Sequence, residues 1–217
     1  MNYDFIEIGT SMYDTLIERA SDNTIGLTIE PIKKYLDMLP SKSNVKKVNT
    51  AITSNRQSNF VDIYYIPDNV IDSNGWPDWL KGCNSINTYH PNHLSESRMR
   101  EVVIDKVPLL NIDELFEQYH VKSVNFLKID TEGHDVVILN GLFTYLVNHS
   151  IEKYPKRIEF ESNIWTPVTD VDNIILKAIS IGYRVLSRGH DTILVLDTTN
   201  PSKLKINRIN GRFKVTA

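Results

Sequence analysis

LKIDTEGHD, residues 127–135, is the stretch from which the fold of this chain is best predicted. The apolar run at 124–129 that leads into it is typical of a strand buried on both faces, and a helical pattern follows it. Strands that pass into helices through short polar turns are the units of parallel sheets. We therefore expect Asp130, Glu132 and His134 to lie at the carboxyl end of a central strand, where open α/β sheets bind ligands.

Strand and helix patterns alternate along most of the chain. Further strands are predicted at 5–8, 25–30, 45–52, 60–66, 102–107, 157–161, 183–186 and 192–196. Helices are predicted at 12–17, with Ser11 as the expected cap, and at 32–39, 112–119, 136–147 and 171–181. This order predicts an α/β fold with one mostly parallel, doubly wound sheet of seven strands and an antiparallel edge strand.

The length and composition predict a single domain over residues 1–217, because 217 residues of which 41% are hydrophobic are enough for one core. Residues 67–100 interrupt the periodic pattern and carry Trp76, Trp79 and Tyr89. Long loops in compact domains are often functional, so this segment is predicted to be a lid or an acceptor-binding loop. Its aromatic side chains fit stacking on an acceptor and anchoring of the loop to the core equally well.

Charge, cysteine content and the chain ends narrow the class of protein. The formal net charge of -3 comes from acids and bases mixed along the chain, so nucleic acid is not an expected partner. Cys83 is the single cysteine, which favours a reducing compartment. The N-terminus lacks the pattern of a signal peptide and no apolar run suits a membrane span, so we expect a cytoplasmic protein without a membrane partner. A hairpin with solvent-facing basic side chains is predicted at 203–217, turning at Asn210-Gly211, and homo-oligomerisation stays open.

Two residues indicate a nucleotide-like cofactor. Gly9 permits a tight turn after the first strand, and Glu30 ends the second strand about twenty residues on, the spacing of an acid that binds a ribose. The alternative is that Gly9 is only a turn and that Glu30 is an acid favoured by the dipole of the following helix.

The residues after Gly9 distinguish between cofactors. A pyrophosphate lies close against backbone, but no further glycine follows here and Tyr13 is bulky, which argues against NAD. S-adenosylmethionine has a ribose and an amino acid tail without a pyrophosphate. Glu7, near the end of the first strand, would then take the ammonium group of that tail.

The stretch 127–135, followed by Ile138-Leu139-Asn140-Gly141, closely resembles the hallmark of the FkbM-type methyltransferases. The resemblance continues in segments that match further motifs of the family: Ile6-Glu7-Ile8-Gly9, Ile29-Glu30-Pro31, Asn49-Thr50-Ala51-Ile52, Ile158-Glu159-Phe160-Glu161 and Gly182-Tyr183. It implies a Rossmann-like class I methyltransferase fold that uses S-adenosylmethionine and methylates a hydroxyl on a sugar or another small molecule.

The resemblance also implies roles for individual residues. Asp130 would lie beside the reactive methyl group. The remaining expected cofactor contacts are Glu7, Gly9, Thr10 and Ser11 for the amino acid tail, Glu30 and Pro31 for the ribose, and Ala51 and Ile52 for the adenine.

Asp130, Glu132 and His134 are the candidate catalytic residues. Methyl transfer is a displacement at a sulfonium, so the acceptor oxygen must be positioned and must lose its proton. His134, whose ordinary pKa is about 6.5, is the first candidate base, with Asp130 or Glu132 orienting it, and Glu132 is the second. The alternative is that Glu132 and His134 cap the next helix while Asp130 only binds cofactor.

A divalent metal is the other way to activate a hydroxyl. These acids, together with Glu161, would supply oxygen ligands, but the sequence does not show that they converge, so no metal site is predicted. His90 and His93 lack an evident third ligand and are better explained as polar loop residues. The sequence thus predicts an S-adenosylmethionine-dependent O-methyltransferase with a saccharide or small-metabolite acceptor; N-methylation and a catalytically silent cofactor-binding module are the alternatives.

Overall fold

The computed structural model of the protein describes residues 1–12, 14–87, 90–163 and 165–197, together with the backbone of two C-terminal strands. The strands are β1 (Asn2–Ile8), β2 (Gly26–Ile29), β3 (Val45–Val48), β4 (Ala51–Thr53), β5 (Phe60–Tyr65), β6 (Val103–Asn111), β7 (Ser123–Ile129), β8 (Arg157–Glu161), β9 (Tyr183–Arg188), β10 (Asp191–Leu196), β11 (Lys205–Ile209) and β12 (Arg212–Thr216). The α-helices are α1 (Leu16–Arg19), α2 (Lys33–Met38), α3 (Asp68–Ser73), α4 (Glu96–Met99), α5 (Ile112–Gln118), α6 (Asp135–Leu146) and α7 (Val168–Ser180). Short 3₁₀ helices span Asp78–Gly82, Pro91–His93 and Ile151–Lys153.

A seven-stranded sheet in the order β3-β2-β1-β7-β8-β10-β9 forms the centre of the protein. Its first five strands are parallel, and β10 runs antiparallel to both of its neighbours. The predicted mostly parallel α/β sheet is therefore confirmed. The predicted antiparallel edge is also present, since the edge strand β9 pairs antiparallel with β10; residues 189–190 alone join the two, and so short a connection makes antiparallel neighbours.

Helices cover both faces of this sheet, because the apolar side chains of β1 alternate between the two faces. Phe5 packs with Ile17 and Leu36 of α1 and α2, whereas Ile6 and Ile8 belong to a core shared with α5, α6 and α7. Full burial of an isoleucine or phenylalanine side chain contributes about 1.5–3 kcal/mol. The central strands are thus held from both sides, and their carboxyl ends are fixed relative to one another.

The third predicted strand, 45–52, is divided in two. Asn49 donates hydrogen bonds from its side-chain amide to the carbonyls of Glu30 (2.9 Å) and Pro31 (2.7 Å), which turns the chain away from the sheet after Val48. Residues 51–53 then join a second sheet of order β4-β6-β5.

The strand predicted at 102–107 continues to Asn111 because β6 changes partner on the way. It pairs antiparallel with β5 as far as Pro108, and parallel with β4 from Leu109 onward. Proline has no N–H to donate, so it is tolerated where a strand passes from one neighbour to the other.

Two local predictions differ from the structure. Helix α1 does not follow Ser11, whose φ of 49° is unlike the extended backbone of an N-cap residue; it begins after Thr15, whose N–H donates to Glu18 (2.9 Å). Residues 67–100 are not one long loop, since they contain α3, α4 and two 3₁₀ helices.

A backbone hairpin is present at the C-terminus, where β11 pairs antiparallel with β12. The predicted turn at Asn210-Gly211, and likewise Tyr13 and Tyr89, lie outside the described residues. Within the part of the chain that the structure describes, none of the helices is both long and apolar enough to cross a bilayer.

Candidate functional site

A cavity opens at the carboxyl ends of β1, β2 and β7, and we call it the strand-end cavity. Nine of the residues predicted from the sequence line it: Gly9, Thr10, Ser11, Glu30, Pro31, Ala51, Ile52, Asp130 and Glu132. Residues that the sequence did not indicate also line it, among them Asp14, Thr50, Gly82, Asn84, Ile86 and Lys128. Glu7 and His134 are not part of this lining, and neither are Trp76 and Trp79.

Gly9 shapes the turn at the floor of the strand-end cavity. Its φ is +79°, a conformation that L side chains rarely adopt. A Cβ atom placed on Gly9 would lie 1.9 Å from the carbonyl oxygen of Asp130. The turn after β1 therefore approaches the end of β7 so closely that this position requires glycine.

Glu30 holds this turn from the end of β2. Its Oε2 accepts hydrogen bonds from the backbone N–H groups of Thr10 (3.2 Å) and Ser11 (2.8 Å), and its Oε1 accepts one from Ile32 (2.8 Å). Burial raises the pKa of Glu30 to about 7, although the three hydrogen bonds act in the opposite direction. The carboxylate is thus both a lining group and a structural link between the two strand ends.

Glu7 is completely buried next to the strand-end cavity. Its Oε2 accepts a hydrogen bond from the N–H of Leu16 (2.9 Å), so it fixes the start of α1. Burial raises the pKa of Glu7 to about 7, against the effect of the nearby Lys128. The Lys128 ammonium lies 3.5 Å from Glu7 Oε1 and 3.6 Å from Asp130 Oδ2. Lys128 is therefore the cation that lies between these two acids. Its position within an apolar strand did not indicate this role.

Glu132 is oriented by a histidine from the segment 67–100. Its Oε2 lies 2.9 Å from Nε2 of His90, a side chain with 1% exposure. Because His90 Nδ1 accepts the N–H of Asn92 (3.1 Å), the ring proton is on Nε2 and is donated to Glu132. The sequence separation of 42 positions explains why no local pattern indicated this pair.

His134 is locked between two polar side chains. Its Nδ1 lies 2.6 Å from the amide oxygen of Asn87, and its Nε2 lies 3.0 Å from the hydroxyl of Thr53. The Asn87 amide nitrogen donates to the carbonyl of Gly133 (3.2 Å), so its oxygen must accept from Nδ1 and the Thr53 hydroxyl donates to Nε2. Burial lowers the pKa of His134 to about 4, so the ring is neutral at pH 7. His134 occupies the N-cap position of α6, but its side chain makes no capping hydrogen bond.

The acids that the sequence did not show to converge do so in the structure. Asp130, Glu132 and Glu161 each place one carboxylate oxygen within 4.8 Å of the others. Burial and then the charges of Glu132 and Asp130 raise the pKa of Glu161 to about 9. Asp130 and Glu132, which line the strand-end cavity, and Glu161, which lies beside it, therefore form a compact group of carboxyl groups at the ends of two adjacent strands.

The fold and the site define an α/β protein with a cavity at the carboxyl ends of its central strands, lined by acids from two of them. The family model of the methyltransferase FkbM domain matches residues 7–185, so the chain belongs to this family of methyltransferases. The matched region runs from β1 to β9 and includes every lining residue of the strand-end cavity. Comparison with the curated proteins and with the solved structures found no match.

Proposed function

We propose that the protein is an S-adenosylmethionine-dependent O-methyltransferase with a Rossmann-like class I fold, acting on a hydroxyl of a saccharide or another small metabolite. One observation carries the proposal: in a chain of a methyltransferase family, the turn at Gly9, the acid Glu30 and the acids Asp130 and Glu132 line one cavity. A cofactor in that cavity would reach from the end of β2 to the end of β7.

The character of the lining supports one orientation of the cofactor in the cavity. Glu30 would accept hydrogen bonds from the ribose hydroxyls, and the apolar surface of Ala51 and Ile52 would cover the adenine. The amino acid tail would lie on the turn after β1, where Lys128 supplies a cation for its carboxylate. Asp130 would then stand beside the methyl group.

The acceptor is activated, in this proposal, by Glu132. The acceptor oxygen forms a bond to the methyl carbon while the carbon–sulfur bond breaks, and the hydroxyl proton must leave. A carboxylate promotes this step by taking the proton itself or by holding a cation that lowers the pKa of the hydroxyl. Glu132 lines the cavity and is oriented by His90, whereas both ring nitrogens of His134 are engaged by Asn87 and Thr53. We therefore assign His134 to positioning of the segment that carries Glu132.

The test is transfer of a labelled methyl group to a mixed panel of glycans and hydroxylated metabolites, with the product bond identified by mass spectrometry. We expect an O-methylated product, and we expect Glu132→Gln to lower turnover about a hundredfold or more while the affinity for the cofactor changes less than threefold. A label found on nitrogen would contradict O-methylation and identify the enzyme as an N-methyltransferase. Cofactor binding without transfer to any acceptor would indicate a silent binding module.

A further inference from the structure

Three carboxyl groups at the ends of two adjacent strands lie close together, two of them in the lining of the strand-end cavity and the third beside it. Asp130 and Glu132 follow β7, and Glu161 ends the parallel neighbour β8. Each supplies one oxygen atom within 4.8 Å of the other two. Like charges this close repel one another unless a proton or a cation compensates them. Lys128, which lies 3.6 Å from Asp130, compensates one of these charges.

Glu161 provides a second, independent observation. The residue is only 7% exposed, and its Oε1 accepts a hydrogen bond from the Asn163 side chain (2.5 Å). Its Oε2 is buried and has no hydrogen-bond partner among the described residues. A buried carboxylate oxygen without a partner has lost its hydration without a replacement, which is unfavourable. A ligand that binds carboxylate oxygen would remove this cost.

We infer that Asp130, Glu132 and Glu161 bind one divalent cation of the class that prefers oxygen ligands, namely Mg²⁺, Mn²⁺ or Ca²⁺. Oxygens on opposite sides of Ca²⁺ lie about 4.6–5.2 Å apart, and about 4.0–4.2 Å apart around Mg²⁺. All three oxygens lie within 4.8 Å of one another, so none of their separations exceeds the largest oxygen–oxygen distance around Ca²⁺. A set made only of carboxylates favours these hard cations over softer transition metals.

A neighbouring group, Cys83, His90 and Glu132, also brings its ligand atoms within 4.8 Å of one another. His90 is not free to serve there, because its Nδ1 accepts from Asn92 and its Nε2 donates to Glu132. The hydrogen bond from His90 instead orients Glu132 toward Asp130 and Glu161, as hydrogen-bond partners of metal ligands commonly do.

The consequence for catalysis rests on the proposed function, whereas the cation site itself does not. An acceptor hydroxyl that coordinates the cation loses its proton more readily, and water in the cavity takes that proton. The resulting oxyanion bonds to the methyl carbon, and the electron pair of the broken carbon–sulfur bond stays on sulfur. Glu161 does not line the cavity, so it would have no part in a direct proton transfer to Glu132. Activation of the hydroxyl by the cation gives Glu161 a function, as a ligand of that cation.

The test is titration of the chelator-treated full chain with Mn²⁺, by calorimetry and by electron paramagnetic resonance, without any methyl donor. We expect one Mn²⁺ per chain and at least tenfold weaker binding in Glu161→Gln. Asp191→Asn is the matched control, because Asp191 lies opposite Glu161 in the β10–β8 register but outside the three ligands, and it should change the affinity less than threefold. Should Glu161→Gln fail to fold by circular dichroism, Asp130→Asn takes its place.

Absence of Mn²⁺ binding, or an equal loss of affinity in Asp191→Asn, would overturn the site. Undiminished methyl transfer after chelation would overturn its catalytic role and leave the methyltransferase proposal intact. Mn²⁺ binding that depends on Glu161 would support the site even if no acceptor were methylated, in which case only the proposed function would fail.

Discussion

Replacement of Gly9 by alanine tests how closely the turn after β1 approaches the end of β7. The matched control is Gly75→Ala, because Gly75 also has a positive φ, +63°, but an added Cβ there would have no atom within 4 Å. The two variants share the backbone strain of a left-handed residue. They differ in the contact with Asp130, so the difference between them measures that contact.

The expected magnitude follows from the geometry. A left-handed conformation costs a residue other than glycine about 1–2 kcal/mol, and this is the whole loss expected for Gly75→Ala. At Gly9 the new Cβ would be 1.9 Å from the Asp130 carbonyl oxygen, well short of the 3.4 Å at which ordinary contact begins. Overpacking costs about 1–3 kcal/mol more, since the Asp130 N–H is bonded to the Ile8 carbonyl at 2.9 Å and resists separation. We expect Gly9→Ala to lose about 2–5 kcal/mol in total.

The assay is urea unfolding of both variants and the parent, followed by tryptophan fluorescence, with cofactor titration of each folded variant. We expect Gly9→Ala to unfold at the lowest urea concentration and to lose cofactor binding, and Gly75→Ala to bind normally. Equal losses of stability in the two variants would refute the close approach. Normal cofactor binding by Gly9→Ala would refute the role of this turn in the site.

Three further predictions follow from buried polar groups. Glu30→Ala should weaken cofactor binding by about 1.5–3 kcal/mol, the value of hydrogen bonds to a charged group, and unaltered affinity by calorimetry would place the ribose elsewhere. His134→Ala should lower the free energy of unfolding by about 1–3 kcal/mol because the buried Thr53 hydroxyl loses its hydrogen-bond partner, and it should slow turnover less than Glu132→Gln does; the opposite ranking in a thermal and kinetic comparison would make His134 the base. Burial raises the carboxyl pKa values of Glu7, Glu30 and Asp135 to about 7 in the folded protein, so the stability that they contribute below about pH 4 is lost as the pH rises to 7, up to about 3 kcal/mol for each glutamate and about 4 kcal/mol for the aspartate. A urea midpoint higher at pH 8 than at pH 5 would contradict this.

The fold was predictable because most of its elements follow from local patterns. The apolar run at 124–129 and the helical repeat after it depend only on residues close in the chain. The division of the strand at 45–52 depends on the Asn49 side chain reaching the carbonyls of Glu30 and Pro31, a tertiary contact. No periodicity within 45–52 distinguishes a strand that continues from one that changes sheets.

The site was predictable where backbone topology alone positions a residue. Parallel strands bring their carboxyl ends together, so Gly9, Glu30 and Asp130 were expected to meet, and they do line one cavity. The hydrogen bond between His90 and Glu132 was not predictable, because it joins a segment without periodicity to the residues that follow β7. The hydrogen bonds of His134 to Thr53 and Asn87 were not predictable for the same reason, since both partners come from other segments.

The most direct test of the account is calorimetric titration of the purified chain with S-adenosylmethionine, its demethylated product and NAD. We predict one binding site per chain for the first two ligands, with affinity reduced in Glu30→Ala, and weak or undetectable binding of NAD. Tight binding of NAD with no response to S-adenosylmethionine would contradict it.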